Sequence, residues 1–223
     1  EAEAVRSENI DRGDLRAIVN DLRAGILTIR NRAAGHLEFW SDRVEAGETR
    51  IENVGRGDLM AFVTTLRSGL VSVRNRAAGH LQFWANRVAA GETRIENIGR
   101  GDLSGAIGTL RSALVTIRNL GSGRLEFWAE TLKAQEARIE NIGQGTLVAF
   151  VNTLRSSLLV IRNAGQGRLE FWADTVEARE ARISNLDAGN LVVRINDLRA
   201  NLLAIRNAGQ GRLNFWARQV DAQ

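Results

Sequence analysis

The residues best suited to binding chemistry are the five tryptophans, because an indole ring can stack on a sugar ring or pack against another apolar surface. They recur every 44 residues, and they are Trp40, Trp84, Trp128, Trp172 and Trp216. Midway between successive tryptophans, 22 residues from each, two phenylalanines occur, Phe62 and Phe150. If the chain stacks in register, these seven residues form one aromatic stripe, which is the candidate binding surface of this sequence.

Groups that could carry out catalysis or bind a metal are scarce. The chain has no cysteine, which excludes thiol catalysis, disulfides and cysteine-ligated metals. Its two histidines, His36 and His80, hold equivalent repeat positions at which later repeats carry arginine, as expected of surface residues. Carboxylate pairs such as Glu48 and Glu52 recur among arginines, and we interpret them as ion pairs. We therefore expect no catalytic residues, no metal site, no cofactor and no enzymatic activity.

The charge composition argues against two further classes of protein. With 30 lysines and arginines against 26 acidic residues, the net charge is only +4, and the two signs are evenly mixed. This is not the basic footprint of a nucleic-acid-binding protein. No stretch approaches the roughly 18 uncharged apolar residues of a membrane helix. We expect neither a nucleic-acid partner nor a membrane span.

The aromatic stripe belongs to a shorter repeat of 22 residues. Glycine recurs at this spacing from Gly13 to Gly211, and a leucine follows two places later each time, from Leu15 to Leu213. Asparagine recurs at the same spacing, and the members that we interpret as a structural ladder are Asn31, Asn53, Asn75, Asn97, Asn119, Asn141, Asn163 and Asn185. No insertion or deletion interrupts the array, which indicates stacked, near-identical units.

The 22-residue units pair into 44-residue repeats that form one domain, residues 8–223. The repeats span 8–51, 52–95, 96–139, 140–183 and 184–223. Residues 1–7 are an N-terminal extension whose first four residues resemble the spacer left by an incompletely trimmed yeast mating-factor leader, which implies secretion. The array starts and stops within a repeat, so we expect either a piece of a longer array or end-to-end assembly.

The apolar pattern predicts an all-β fold, a three-sided parallel β-solenoid of about ten coils. From Leu191 to Ala217, inward positions alternate with a period of two, and two steps of three residues per unit mark corners. In this arrangement Phe39 and its equivalents point into the core, while the tryptophan after each points outward. The repeated asparagines would face inward and could form an amide ladder.

Two other folds also fit the pattern. Leu15, Val19 and Leu22 begin a helical stripe, which would give an α-solenoid of ten short helices with tryptophan in its core and asparagine as the C-cap. Glycines such as Gly47 would then fall inside helices, at a cost of about 1 kcal/mol each. A five-bladed propeller of four-stranded blades also matches the 44-residue period.

Residues 22 apart alternate in charge, which favours the β-solenoid. One column reads Arg30, Glu52, Arg74 and continues in this way, and a second column begins with Asp14 and His36. Parallel coils would place such residues about 4.8 Å apart. At that distance opposite charges stabilise the stack and like charges repel. Helices related by reflection across a loop would not bring these columns together.

A family resemblance points to the same fold. The stretch Ala188–Ala200, with the recurring Ile-Glu-Asn and Val-Arg-Asn segments, resembles the repeats of filamentous-haemagglutinin-type adhesins. Those proteins are right-handed β-helices that bacteria secrete for attachment. The resemblance covers most of the array and implies a β-solenoid with an extracellular, adhesive role.

Three functions are consistent with these observations. The first is an extracellular structural or adhesive protein that self-assembles through its ends or through the tryptophan stripe. The second is a multivalent, lectin-like protein whose five equivalent Trp/Arg sites bind a glycan or another cell-surface ligand. The third, tied to the α-solenoid, is a helical scaffold that binds other proteins.

Overall fold

The computed structural model describes residues 2–10 and 12–222, and these form a single stack of parallel strands in chain order. The eleven strands within these ranges are β1 (Ala2–Asn9), β2 (Leu15–Asn31), β3 (Leu37–Asn53), β4 (Leu59–Asn75), β5 (Leu81–Asn97), β6 (Leu103–Asn119), β7 (Arg124–Asn141), β8 (Thr146–Asn163), β9 (Arg168–Asn185), β10 (Asn190–Asn207) and β11 (Leu213–Ala222). The predicted all-β solenoid of about ten 22-residue coils is confirmed.

The α-solenoid and the propeller are not supported. The described residues contain no helix, and each strand pairs in parallel with the next, whereas propeller blades need antiparallel neighbours. The helical scaffold function loses its structural basis for the same reason. The helical stripe from Leu15 was misleading because it includes residues at the position of Leu70. This position faces outward, is half-buried and alternates between leucine and glutamate from coil to coil.

Each residue pairs with its equivalent one coil later, as in Leu37 with Leu59 and Asn53 with Asn75. In β4 this pairing stops at Thr64 and again at Gly69, and a turn of residues 76–80 follows the strand. The paired segments between these points are the three sides of the coil. The same two interruptions recur in the other coils that pair along their full length, so the corners stack above one another.

Side chains alternate between core and surface along each side, as extended strands require. The buried residues of β4 are Leu59, Ala61, Val63, Leu66, Ser68, Val71, Ser72, Val73 and Asn75. With the single exception of Ser72, these are the inward positions that the spacing predicts. They join the equivalent residues of neighbouring coils in one continuous apolar core.

The core alternates in size from coil to coil, which gives the 44-residue period a packing basis. Phe83 and Phe127 are fully buried, and Gly105 lies between them in the same column. Two residues further along the strand the sizes are reversed, because Ala85 and Ala129 flank Ile107. From β2 to β9 a larger residue in one of these two columns packs beside a smaller one, which keeps the core dense; in β10 the small residue is replaced by Val193.

Close stacking at the turn explains why one glycine column has no exceptions. A Cβ added to Gly123 would lie 2.1 Å from the carbonyl oxygen of Gly101 in the previous coil, and at Gly167 the corresponding distance is 1.9 Å. No rotamer relieves such a clash, since the Cβ meets backbone. The glycine is required by the approach of one turn to the next.

Residues at the start of the chain join the stack. Ala2, Val5 and Ser7 pair with Ala24, Leu27 and Ile29 in β2. Residues 2–7, which the sequence analysis placed in an extension, thus continue the coil pattern. Glu1 lies outside the described residues, and the leader interpretation stays a prediction.

We expect Gly123→Ala to lower the free energy of unfolding by about 1–3 kcal/mol, because the new methyl group would force adjacent turns apart. Gly105→Ala is the matched control, since its Cβ would meet only side chains, Phe127 at 3.6 Å and Ile95 at 3.9 Å, which are ordinary contact distances. That change should leave stability unchanged or raise it. Urea denaturation followed by tryptophan fluorescence measures both. Equal losses from the two substitutions would contradict the stacking argument.

Candidate functional site

The aromatic stripe lies on the outer surface of the first side of the coil. The tryptophans face solvent, with exposed fractions of 40% at Trp40, 49% at Trp84 and 39% at Trp128. The phenylalanine before each of the first four, such as Phe83, is fully buried, and Phe215 in the last strand is partly buried. The five tryptophans hold equivalent backbone positions, and Phe62 and Phe150 lie in the same column between them.

Within this stripe the rings stack on one another along the solenoid axis. Trp40 and Phe62 have ring centroids 4.1 Å apart and planes only 17° from parallel. Phe62 then meets Trp84 in an edge-to-face contact at 5.5 Å. Trp40 therefore turns an indole face toward its neighbour and not outward as a flat platform. Two tryptophans separated by two coils, about 9.6 Å, enclose one aromatic ring.

At Ala106 the enclosed ring is missing. Ala106 pairs with Trp84 on one side and Trp128 on the other, just as Phe62 pairs with Trp40 and Trp84. Ala106 carries only a methyl group here, while the backbones of Trp84 and Trp128 lie two coils, about 9.6 Å, apart, which leaves room for one ring. We call this space the ring slot: Trp84 and Trp128 are its walls, and the outward residues of β6, Ser104, Ala106 and Gly108, are its floor.

Polar side chains border the ring slot, one on each side of both tryptophans along their strands. Gln82 and Asn86 flank Trp84 at two residues' distance, and Glu126 and Glu130 flank Trp128 in the same way. Within the described residues, Gln82, Asn86 and Glu130 make no side-chain hydrogen bond. Their amide and carboxylate groups therefore remain available to a ligand's hydroxyl groups.

The five tryptophans have equivalent backbone positions but different neighbouring side chains. The five equivalent binding sites expected from the sequence are therefore equivalent only in their backbone. Near the C-terminal end of the stripe the Arg194 guanidinium lies over the Trp172 ring, 4.4 Å from its centroid. Together with Trp216 these residues border an open cleft of 840 Å³. Arg194 occupies the place that Phe62 and Ala106 hold elsewhere, and its cation stabilises the stack by a cation–π contact.

The charge columns form ion pairs between and within coils. Arg30 donates to Glu52 at 3.0 Å through Nε, and Arg74 donates to Glu96 at 2.8 Å. Glu48 accepts two hydrogen bonds from Arg50 in its own coil, and these lower the pKa of Glu48. Glu48 and Glu52 thus each have an arginine partner, as the ion-pair interpretation expects.

The two histidines lie between aspartates of neighbouring coils. His36 approaches Asp14 at 3.3 Å and Asp58 at 3.4 Å. The pKa of Asp14 is lowered because its carboxylate accepts the backbone N–H and the ring hydrogen bond of His36. At Asp58 partial burial raises the pKa, but hydrogen bonds from His80 outweigh burial and the net direction is downward. Among the described residues there is no cluster of three potential metal ligands.

The inward asparagines bind the turns together. The Asn31 side chain donates to the Gly35 carbonyl oxygen at 3.0 Å and to the Asp58 carbonyl oxygen of the next coil, also at 3.0 Å. Amide-to-amide bonds of the expected ladder link only the last members of the column, for example Asn163 to Asn185 at 3.1 Å. The ladder members Asn53, Asn75, Asn97, Asn119 and Asn141 are likewise fully buried.

Sequence reasoning did not identify the polar borders of the ring slot or the small residues on its floor. The polar borders could have been predicted, because outward positions alternate with a period of two. The residues two places before and two places after each tryptophan therefore share its surface. The orientation of the indole faces had no such signal, since it depends on side-chain torsions that spacing does not determine.

No family model, curated protein or solved structure matches the chain. The resemblance to adhesin repeats therefore stays a prediction. No helix in the described part of the chain is long and apolar enough to cross a membrane. Functional assignment thus depends on the geometry of the site.

We expect the solenoid to lose stability as the pH falls below about 4, where carboxylates take up protons. The pKa values of Asp14, Glu45, Glu48 and Asp58 are lowered in the folded state, so the unfolded chain binds more protons in acid. Their contribution is complete above the unfolded-state pKa and is lost as the pH falls through the folded-state value.

Urea unfolding midpoints at pH 7, 4 and 3 measure this loss. A Glu48→Gln variant should show a smaller difference between pH 7 and pH 3, because one of the titrating groups is removed. Equal midpoints for the wild type at pH 7 and pH 3 would show that these ion pairs do not contribute to stability.

Proposed function

We propose that this chain is a non-enzymatic adhesive β-solenoid that binds a glycan, with one sugar ring held between Trp84 and Trp128. The observation that carries the proposal is the ring slot, where Ala106 takes the place of an aromatic ring between two half-exposed tryptophans of the same column. An extracellular location is part of the proposal, because surface polysaccharides are the abundant ligands of this kind.

The width of the slot suits a pyranose ring. Phe62 occupies the corresponding space between Trp40 and Trp84, with centroid distances of 4.1 and 5.5 Å. A sugar ring entering over Ala106 could place its C–H faces against both indoles, while its edge carries hydroxyl groups toward the polar borders. The apolar part of the contact removes aromatic surface from water.

Chemistry at the borders favours a sugar over an aromatic side chain of another protein. Gln82, Asn86, Glu126 and Glu130 supply hydrogen-bonding groups on both sides of the slot. A wholly apolar guest would desolvate these groups without replacing their hydrogen bonds to water, which costs free energy. A hydroxylated ring satisfies them. The slot is also preorganised, because its walls stand on a continuous sheet, so little ordering is required on binding.

Self-association through the aromatic stripe is the competing proposal. The stripe exposes several aromatic rings, and exposed apolar patches commonly mark contacts between copies of a protein. The gap at Ala106 would allow a ring of one copy to enter the stripe of another. Sedimentation velocity over a concentration series separates the two proposals before any ligand is added.

We expect the double substitution Trp84→Ala, Trp128→Ala to weaken glycan binding by about 2 kcal/mol or more, roughly thirtyfold in Kd, since both stacking walls are lost. The probes are insoluble cellulose, chitin and xylan in pull-down assays, followed by soluble oligosaccharides of any polysaccharide that binds. Trp40→Ala is the control, because Trp40 belongs to the same column but contacts Phe62 and not the slot. Equal binding by wild type and double variant would rule out the slot.

Filling the slot gives a second, independent prediction. Ala106→Phe should abolish binding while the protein stays folded, because phenylalanine already occupies this column at Phe62 and Phe150. Phe62→Ala should open a new slot between Trp40 and Trp84 and raise the calorimetric stoichiometry from about one to about two ligands per chain. Unchanged stoichiometry in Phe62→Ala together with full binding by Ala106→Phe would contradict the proposal.

A further inference from the structure

A second surface, on the middle side of the coil, carries a row of cations, most of which form no salt bridge with the described residues. A groove of 1190 Å³ runs along strands β6 to β11 on this side. Its lining includes five basic side chains, Arg111, Lys133, Arg155, Arg179 and Arg199, and two acidic ones, Glu177 and Asp221, so the basic residues are in excess. We call it the basic groove. Its floor consists of alanine and serine side chains, and no aromatic residue lines it.

The row departs from the charge alternation of its column, which otherwise lapses at Ala89. Earlier in the column Arg23 and Arg67 both approach Glu45. Further on, Arg111 pairs directly with Lys133, and Lys133 pairs directly with Arg155. Three cations thus follow one another about 4.8 Å apart. Like charges directly opposite each other destabilise a sheet, so this arrangement opposes the stability of the stack.

Most of these cations have no carboxylate partner. In the described ranges Arg155 alone among them forms a salt bridge, with Glu177 at 2.9 Å. Lys133 is also the only lysine in a chain whose other basic residues are all arginine, and it stands in a coil where the alternation calls for an acid. The groove therefore presents a local positive potential that the net charge of +4 conceals.

We propose that the basic groove binds a linear anionic polysaccharide that runs along the solenoid axis. In an extended chain each sugar unit advances by about one coil spacing, so one carboxylate or sulfate group per sugar could meet one cation per coil. Guanidinium groups suit both anions, since they donate paired hydrogen bonds. The absence of aromatic lining disfavours single-stranded nucleic acid, which binds largely by base stacking.

This site is independent of the ring slot. It lies on a different side of the coil and shares no residue with the slot. The Ala106→Phe variant should therefore bind anionic polysaccharide as the wild type does. The two proposals can fail separately.

The decisive variant is Lys133→Glu. Glutamate already occupies this column at Glu45 and Glu177, so the fold accommodates it, and the change restores the alternation of charge. We expect binding to weaken by about tenfold or more, with a smaller dependence of log K on log salt concentration. The thermal midpoint should stay the same or rise. A purely structural role for Lys133 would not separate affinity from stability in this way.

A variant that adds one cation to the row tests the opposite effect to Lys133→Glu. Ala89 lies in the same column between Arg67 and Arg111. Ala89→Lys would join these into a run of five cations and should tighten binding and steepen the salt dependence.

Calorimetry with polygalacturonate and with heparin tests both variants, and comparing the two probes separates carboxylate from sulfate recognition. Single-stranded DNA serves as the competing probe. The proposal is overturned if the wild type binds neither polysaccharide, if Lys133→Glu binds as tightly as wild type, or if DNA binds more tightly than either.

Discussion

Stacking of every residue on its own equivalent, one coil away, is the constraint on which the rest of the molecule depends. It turns each sequence position into a column that runs the length of the protein. A column cannot repeat just any residue, because adjacent members are in contact. Leucine repeats in every coil from Leu15 to Leu213, but phenylalanine alternates with smaller residues in its column, and like charges placed directly opposite each other would repel. The alternation of Phe83 with Gly105, and of Arg74 with Glu96, satisfies this constraint.

The surface follows the same constraint, and departures from it mark the two candidate sites. Along the aromatic stripe a ring follows a ring until Ala106, where a small residue interrupts the stack and exposes two indoles. In the column of Lys133 the charges alternate from Arg23 to Arg67, Ala89 then interrupts them, and from Arg111 a cation follows a cation. In a structure this regular, an exception is easy to recognise and needs a reason. Functional sites are where local rules are most often broken.

Much of the fold was predictable because each column of stacked residues appears in the sequence as a residue type that recurs every 22 positions. The three-sided coil followed from the two three-residue steps near Ile195 and Ala200, and the register followed from the pairing of Arg30 with Glu52. Ring orientation was not predictable, since spacing says nothing of the torsions that turn Trp40 onto Phe62. The reach of the Asn31 amide to the Gly35 and Asp58 carbonyls was equally hidden, because hydrogen bonds depend on distances of a few tenths of an ångström.

The alternation of sizes in the core also bears on how such an array can change in length. Removing one 22-residue coil would place Phe83 directly against Phe127 and Glu96 against Glu140, so the stack would be both overpacked and charged. Removing two coils, residues 98–141, would instead place Phe83 beside Ala149 and Glu96 beside Arg162, so that size and charge still alternate. We therefore expect duplication and loss to be tolerated best in steps of 44 residues. The two-coil unit, with its single tryptophan, is the smallest piece that evolution or an engineer could add without redesigning its neighbours.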